Sequence, residues 1–196
     1  MFKGIGLSCI AASCSVLKVL SLAKNKQLQD SDFETCFKNG LNELRDLDCS
    51  YNNLTGDCFR YLHGSFLVNV NLNCCSNLKN EGVLLLLQKC TSNLRSLDIS
   101  VTKITNKIFS SIPKDRLTGL RSLFIDFCSA ITMSSLMETL YDAFPYLRSL
   151  SMFGISNEES GKSYNISRIS RYSLGLRISV FVSYIAHTFI LCFHRY

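Results

Sequence analysis

The sequence has little proline, few charged residues and few glycines. Only two of its 196 residues are proline and ten are glycine, which leaves little room for long flexible linkers. Charged residues make up 18% and hydrophobic residues 47%, a balance that is typical of a globular protein and excludes a disordered chain. We therefore expect one folded domain of ordinary size with a real core.

The ten cysteines do not have the spacing of metal ligands. No Cys-x-x-Cys occurs, and Cys74 and Cys75 are adjacent. Zinc sites usually need paired cysteines a few residues apart. Several cysteines instead recur at equivalent points of a repeat, where a small apolar side chain is wanted. We interpret them as reduced, buried thiols of an intracellular protein, cytoplasmic or nuclear, and expect no metal and no cofactor.

The positive charge is not concentrated in a block. The net charge is +6; up to Ser156, 16 Lys and Arg stand against 13 Asp and Glu, and the last forty residues hold five against two. No basic segment with interleaved aromatic residues occurs, so we expect no nucleic-acid partner.

The sequence also lacks a convergent set of catalytic residues. His63 is the one histidine of the repeat region, and no acidic or cysteine partner stands at a recognisable spacing from it. Catalysis needs a nucleophile, a base and an orienting group that converge. We therefore expect that the chain is not an enzyme and has no small-molecule substrate.

One pattern occurs six times along the chain. It is Leu-x-x-Leu-x-Leu-x-x-Asn/Cys, and a clear copy is "LRSLDISVT". Successive copies are 23 to 27 residues apart, a period that indicates a repeat architecture. The sixth copy is the weakest, because Ile155 stands at position nine. The copies start at Leu17, Leu44, Leu67, Leu94, Leu120 and Leu147.

The repeat resembles the leucine-rich repeat in its cysteine-containing form, familiar from F-box/leucine-rich-repeat proteins. The resemblance extends from Leu7 to about Gly154. It implies an α/β fold over residues 1–156, a leucine-rich-repeat solenoid that is curved, with a parallel β-sheet on its concave face and helices on its convex face. The residues that carry the narrower match are Cys75 and Cys128 in the turn, Cys14 and Cys90 before the next copy, and Asn25 and Asn52.

The chemistry of each repeat position explains which type of residue is found there. Positions four and six, such as Leu97 and Ile99, alternate with outward residues and predict a short strand with one buried face. The Asn or Cys at position nine should satisfy backbone groups inside the coil. Residues before the apolar-periodic runs, namely Asn80, Thr105 and Thr132, are placed as helix caps are. Each unit is therefore predicted to form a strand, a turn and a helix.

The residues that project from the strands at positions three, five and seven form the predicted binding surface. This surface is polar and acidic, with phenylalanines toward the C-terminal end, and position two adds a basic rim in five of the six copies. We hypothesise a protein partner that carries a basic ridge and an apolar knob. The candidate residues are Asp46, Asp48, Asn71, Asp98, Phe124, Asp126 and Phe153 on the concave face, and Arg45, Arg95, Arg121 and Arg148 on the rim.

The resemblance implies a protein-binding module that acts as a substrate-recognition adaptor of a ubiquitin-ligase receptor. One alternative is an enzyme regulator similar to ribonuclease inhibitor. Another is a tail-anchored membrane protein, because residues 178–193 of the non-repeat tail, 157–196, are nearly all apolar, although shorter than a usual membrane span. A terminal cap is the other interpretation of this tail. Since neither end resembles a solenoid cap, we expect a fragment or isoform of a longer repeat protein.

Overall fold

The computed structural model describes residues 4–38, 40–90, 92–112, 117–136, 144–155, 177–182 and 189–192, with side chains from residue 6 to residue 155. The four α-helices that it defines in full are α1 (Gly4–Ser13), α2 (Asp30–Lys38), α3 (Asn80–Lys89) and α4 (Lys107–Ser111). The strands are β1 (Val19–Ser21), β2 (Asp46–Asp48), β3 (Asn69–Asn71), β4 (Ser96–Asp98), β5 (Ser122–Phe124), β6 (Ser149–Ser151), β7 (Arg177–Val182) and β8 (Phe189–Cys192).

The strands form one sheet in chain order. The first six are parallel and each comes from one copy of the repeat, so position four of every copy lies beside position four of the next, as Leu47 lies beside Leu20 and Val70. The predicted parallel α/β arrangement is confirmed. Strand β7 joins β6 in parallel, and β8 pairs with β7 in antiparallel.

The predicted membrane anchor at residues 178–193 falls largely on these last two strands, and residues 183–188 and 193 lie outside the described ranges. None of the helices in the part of the chain that the structure describes combines the length and apolar character needed to cross a membrane.

The core is made from positions one, four and six of the repeats. Leu44, Leu67, Leu94 and Leu120 at position one are completely buried, and positions four and six are almost completely buried in every copy. Burial of a leucine side chain contributes roughly 1.5–3 kcal/mol relative to exposure. No unit can bury this face alone, because its leucines are covered by the neighbouring coils.

Position nine supplies hydrogen-bond donors inside the coil, as predicted. The Asn52 amide donates to the carbonyl oxygens of Leu22, at 2.8 Å, and Cys49, at 3.0 Å. In the next copy, the Cys75 thiol donates to the Cys49 carbonyl at 3.2 Å, and the Cys128 thiol donates similarly to the Ile99 carbonyl at 3.3 Å. These contacts satisfy carbonyl groups that burial would otherwise leave without a partner.

The helical half of the repeat varies more than the pattern predicts. In the second copy two 3-10 turns, Asp57–Tyr61 and Gly64–Phe66, replace the predicted α-helix, so that part of the prediction is wrong. This copy is the shortest, with 23 residues to the next. Because a 3-10 helix rises more per residue than an α-helix, it spans the coil with fewer residues.

The residues predicted as helix caps connect neighbouring coils. Asn80 binds Thr105 of the next repeat twice: its amide oxygen accepts from the Thr105 backbone N–H at 2.9 Å, and its amide nitrogen donates to the hydroxyl at 2.8 Å. Asn106 holds Thr132 in the same way, at 3.0 and 3.1 Å. For Asn80 the prediction of a local cap is wrong, because Asn80 is the first residue of α3 and its amide connects neighbouring coils. Thr105 also keeps a local contact, since its hydroxyl accepts from the Lys107 N–H at 3.4 Å.

Asp30 makes the strongest of these connections between repeats. Its carboxylate accepts hydrogen bonds from the backbone N–H groups of Thr55, Gly56 and Cys58, at 2.8, 3.0 and 3.1 Å. Burial raises the pKa of this carboxyl, but the hydrogen bonds from Thr55 and Cys58 outweigh burial and hold the pKa below its ordinary value. The charged form is thus the one that joins the first two coils.

Candidate functional site

The face of the sheet opposite the leucine core carries a row of polar residues at position five. Strand register places Asp48, Asn71, Asp98 and Phe124 side by side on β2 to β5, with neighbouring strands about 4.8 Å apart. All four are half-buried. The structure therefore brings these predicted residues together on one surface, which we call the acidic floor and which also includes Asp46 and Asp126.

Each polar side chain in this row also stabilises a turn, because it accepts a hydrogen bond from the backbone N–H two residues later. The Asp48 Oδ1 atom accepts a hydrogen bond from the Ser50 N–H at 2.9 Å. Asp98 repeats this contact with the Ser100 N–H at 2.9 Å, and the Asn71 amide oxygen does so with the Asn73 N–H at 3.0 Å. Since an amide makes the same contact, the turn needs an acceptor oxygen and not a negative charge.

No ion pair among the described residues neutralises the negative charge of the floor. Within the described residues, the ion pairs join Lys38 to Glu34, and Arg60 and Lys79 to Asp57, so none of them involves the floor. Asp46 accepts a hydrogen bond from the Asn69 amide on the next strand, which leaves its charge in place. Carboxylates in a row without cations create a negative potential that attracts a cationic partner.

Asp126 differs from the other floor residues because its carboxylate is occupied. Both of its oxygens accept from the Ser151 hydroxyl, at 2.7 and 2.9 Å, and Oδ1 also accepts from the Phe153 N–H at 2.7 Å. These contacts join the fifth and sixth coils. Asp126 therefore has a structural role that the sequence did not reveal, and its part in binding stays a prediction, as does that of the half-buried Phe153.

A shallow groove of about 260 Å³ runs across the floor. It crosses strands β1 to β5, with Asp48, Asn71, Asp98 and Phe124 in its lining. Pockets for drug-sized ligands are usually about 300–1,000 Å³ and enclosed. The groove is smaller and open, so it suits the side chains of a protein segment better than a whole small molecule.

The predicted arginine rim lies at position two of the repeats. Arg45, Arg95 and Arg148 are exposed and Arg121 is half-buried. Burial lowers the pKa of the Arg121 guanidinium, and the positive charges of Arg95 and Arg148 lower it further, which shows that the three are neighbours. Arg121 also lies over the Tyr146 ring, 5.5 Å from its centre. The Arg95 guanidinium donates to the Gly119 carbonyl at 3.1 Å. This rim residue therefore also stabilises the loop that precedes the next strand, β5.

The sequence did not single out position eight of the repeat. This residue has a left-handed backbone in every copy, with φ between 55° and 66°, and most of the side chains there are exposed. The repeat pattern does not predict this left-handed conformation, because it allows any residue at position eight. The residues are Lys24, Tyr51, Cys74, Val101, Phe127 and Gly154.

Comparison with known proteins supports the fold. The sequence matches no protein-family model and no curated protein. Among solved structures, the chain is similar to one from the crystal structure of the Rad7 and Elc1 complex in yeast, with a TM-score of 0.51 and 16% sequence identity. The similarity covers 79% of this chain and 45% of that chain, so this chain spans about half the length of its structural relative. At this identity the likeness shows a shared repeat fold with a parallel sheet.

Proposed function

We propose that this chain is a protein-binding module and that its open sheet face receives a cationic segment of a partner protein. The observation that carries the proposal is the group of carboxylates at Asp46, Asp48 and Asp98, none of which is in an ion pair among the described residues. Asp46 and Asp48 lie on β2 and Asp98 lies two strands away on β4, so together they give this face a negative potential. A partner that supplies lysine or arginine is attracted to this potential.

The shape of the surface supports a protein partner. The groove is open along five strands, and Phe124 places an aromatic side chain at the end of the polar row. A charged region next to an aromatic anchor is a common arrangement in protein interfaces, where the charge speeds association and the anchor holds the partner.

The finer features of the proposal come from the sequence pattern. The six copies form a curved solenoid with the acidic floor on its concave side, of the cysteine-containing type found in F-box/leucine-rich-repeat proteins. By that resemblance, the chain is the part of a ubiquitin-ligase receptor that recognises the substrate. The similarity to a chain from a two-protein complex is in keeping with a role in a protein assembly.

We further propose that the chain binds without catalysis and acts in the cytoplasm or nucleus. The floor consists of carboxylates, amides, hydroxyls and Phe124, and His63 lies exposed in the loop between the two 3-10 turns. The nine cysteines whose side chains the structure describes are free thiols, which supports a reducing compartment.

The test is affinity capture from lysate with the full chain and with a variant that carries Asp48→Asn and Asp98→Asn. Asparagine keeps the oxygen that accepts the turn hydrogen bond and removes the charge, as Asn71 shows. Reversal to lysine would also break these turns, and reversal at Asp126 would break its contacts with Ser151 and Phe153.

The matched control is Glu43→Gln with Glu81→Gln, which removes the same charge from exposed sites outside the strands. A protein that is retained by the wild type and by the control but lost from the floor variant supports the proposal. Equal retention by all three, or no retained protein, contradicts it.

A further inference from the structure

The side chains at position eight form a mostly exposed row beside the acidic floor, which we call the position-eight ridge: Tyr51, Cys74, Val101 and Phe127. The exposed fractions of Tyr51, Val101 and Phe127 are 44%, 42% and 62%. Exposed apolar side chains scattered singly need no explanation, whereas a contiguous row of them often marks an interaction site.

Several position-eight side chains contact the next repeat. The Lys24 ammonium lies 5.6 Å from the centre of the Tyr51 ring, and the Cys74 thiol beside the Tyr51 hydroxyl raises the pKa of Tyr51. At the other end, the Phe127 ring covers Gly154 so closely that a Cβ atom there would be 2.5 Å from it. The two ends of the row are therefore in contact with neighbouring coils.

The backbone under the ridge favours glycine. The Tyr51 N–H donates to the Asn73 carbonyl of the next coil at 2.8 Å, and the Val101 N–H donates to the Asp126 carbonyl at 2.7 Å. This ladder holds position eight in the left-handed region, where only glycine is unstrained. A β-branched residue such as Val101, with φ of 55°, is an outlier there.

The strain and the exposure together point to binding. A side chain that strains its own backbone and remains in water contributes little to folding, and strain of this kind is often found at functional sites. The sixth copy, with Gly154, shows that the fold accepts glycine at this position. The side chains of the ridge therefore have another reason to be there.

The negative charge next to the ridge indicates what kind of partner binds there. Asp48 stands three residues before Tyr51, and Asp98 three residues before Val101, on the ends of the same strands. Asp98 also contributes to the raised pKa of Tyr51, so ridge and floor are close enough to act on one ligand. Apolar contacts and negative charge thus alternate across a short distance.

We propose that the position-eight ridge, with Asp48 and Asp98, binds an extended segment of a partner protein in which lysine or arginine alternates with large apolar side chains. The apolar side chains pack on Tyr51, Val101 and Phe127, and the cationic ones meet the carboxylates. This inference rests on the proposed function and adds the chemistry of the partner.

The experiment selects peptides from a library of random twelve-residue sequences on the immobilised full chain. The affinity of the best peptide is then measured by fluorescence anisotropy for the wild type and for Val101→Gly with Phe127→Gly. We expect peptides with Lys or Arg beside large apolar residues, and a loss of affinity of roughly tenfold per substitution. Because glycine relieves the backbone strain, the Tm of the variant should not fall.

The matched control is Phe66→Ser, which removes an aromatic ring that is 50% exposed at the opposite end of strand β3 and should leave affinity unchanged. Acidic peptides, no enriched peptide, an unchanged affinity of the glycine variant or a lowered Tm would overturn the inference. A dimer of the chain that the glycine variant abolishes would assign the ridge to a second copy and would also overturn it.

The floor variant, Asp48→Asn with Asp98→Asn, separates this inference from the proposed function. If only the floor variant loses the peptide, the sheet face binds proteins but the ridge takes no part. If neither the floor variant nor the ridge variant loses it, both the inference and the proposed function fail.

Discussion

Positions eight and nine of the repeat are neighbours in the chain, but they obey opposite chemical rules. Position nine is buried, and its residues in the second to fifth copies, Asn52, Cys75, Thr102 and Cys128, all donate a hydrogen bond to a backbone carbonyl. Position eight carries a cation, a phenol, a thiol, an isopropyl group, a phenyl ring and a hydrogen in turn. The left-handed turn between them sends one side chain outward and the next inward.

This contrast separates the repeat positions that serve folding from those that are free to serve binding. The interior requires a donor of limited size, so position nine reports on folding alone. At position eight the fold requires only a backbone angle, and glycine provides that angle best. The larger side chains found there therefore carry information about what the surface binds, and the predictions below test this division of roles.

The largest effect should come from titration of the buried thiols. Burial raises the pKa of Cys36 and Cys75 to about 11 and that of Cys90 to about 12. Above about pH 9, the unfolded chain loses these protons while the folded chain keeps them, so the free energy of unfolding falls as pH rises. The loss is about 1.4 kcal/mol per pH unit for each thiol, or about 4 kcal/mol for the three at pH 10.

Urea unfolding at pH 7, 9 and 10 measures this loss. The variant Cys90→Ala removes one titrating thiol, and its decline between pH 9 and 10 should be smaller by about 1 kcal/mol. An unfolding free energy that stays constant over this range would show that the thiols are not protected by burial.

The next effect compares positions nine and eight in one repeat. Asn52→Leu removes the two hydrogen bonds to the Leu22 and Cys49 carbonyls and should lower the free energy of unfolding by about 3 kcal/mol. Tyr51→Gly, at the adjacent position, should change it by less than about 1 kcal/mol, because relief of the left-handed strain offsets the lost contacts. Urea denaturation measures both, and equal destabilisation would refute the division of roles.

The smallest expected change in stability concerns the acidic floor. Asp48→Asn should alter the free energy of unfolding by less than about 0.5 kcal/mol, whereas Asp48→Ala should lower it by about 1 kcal/mol, because only alanine loses the acceptor of the Ser50 N–H. If asparagine were as harmful as alanine in urea unfolding, the charge itself would serve the fold, and the case for a binding role would weaken.

The periodic features of the fold could be predicted from the sequence because they depend on local, repeated chemistry. Alternation at Leu97 and Ile99 identified the strand, and the amide at Asn52 identified the tight turn. The floor residues followed from the same register, since neighbouring strands align the same position of each copy. A one-residue error in the pattern would have reversed the two faces.

The contacts between coils could not be predicted in this way. Asn80 and Thr105 resemble local helix caps, and nothing in their short-range context reveals that their partners lie 25 residues away. The left-handed angle at Val101 was equally hidden, because valine is not a residue that usually signals such a conformation. In both cases the cause is a hydrogen bond to the next repeat.

The most direct test of the account is the reactivity of two adjacent thiols, Cys74 at position eight and Cys75 at position nine. Cys74 is partly exposed, whereas Cys75 is buried and donates to the Cys49 carbonyl. The native full chain is treated briefly with a maleimide, digested and analysed by fragmentation mass spectrometry, with Cys74→Ser as the control. We expect that Cys74 is labelled in the native chain and that Cys75 reacts only after unfolding. Equal labelling of the two thiols, or faster labelling of Cys75, would contradict it.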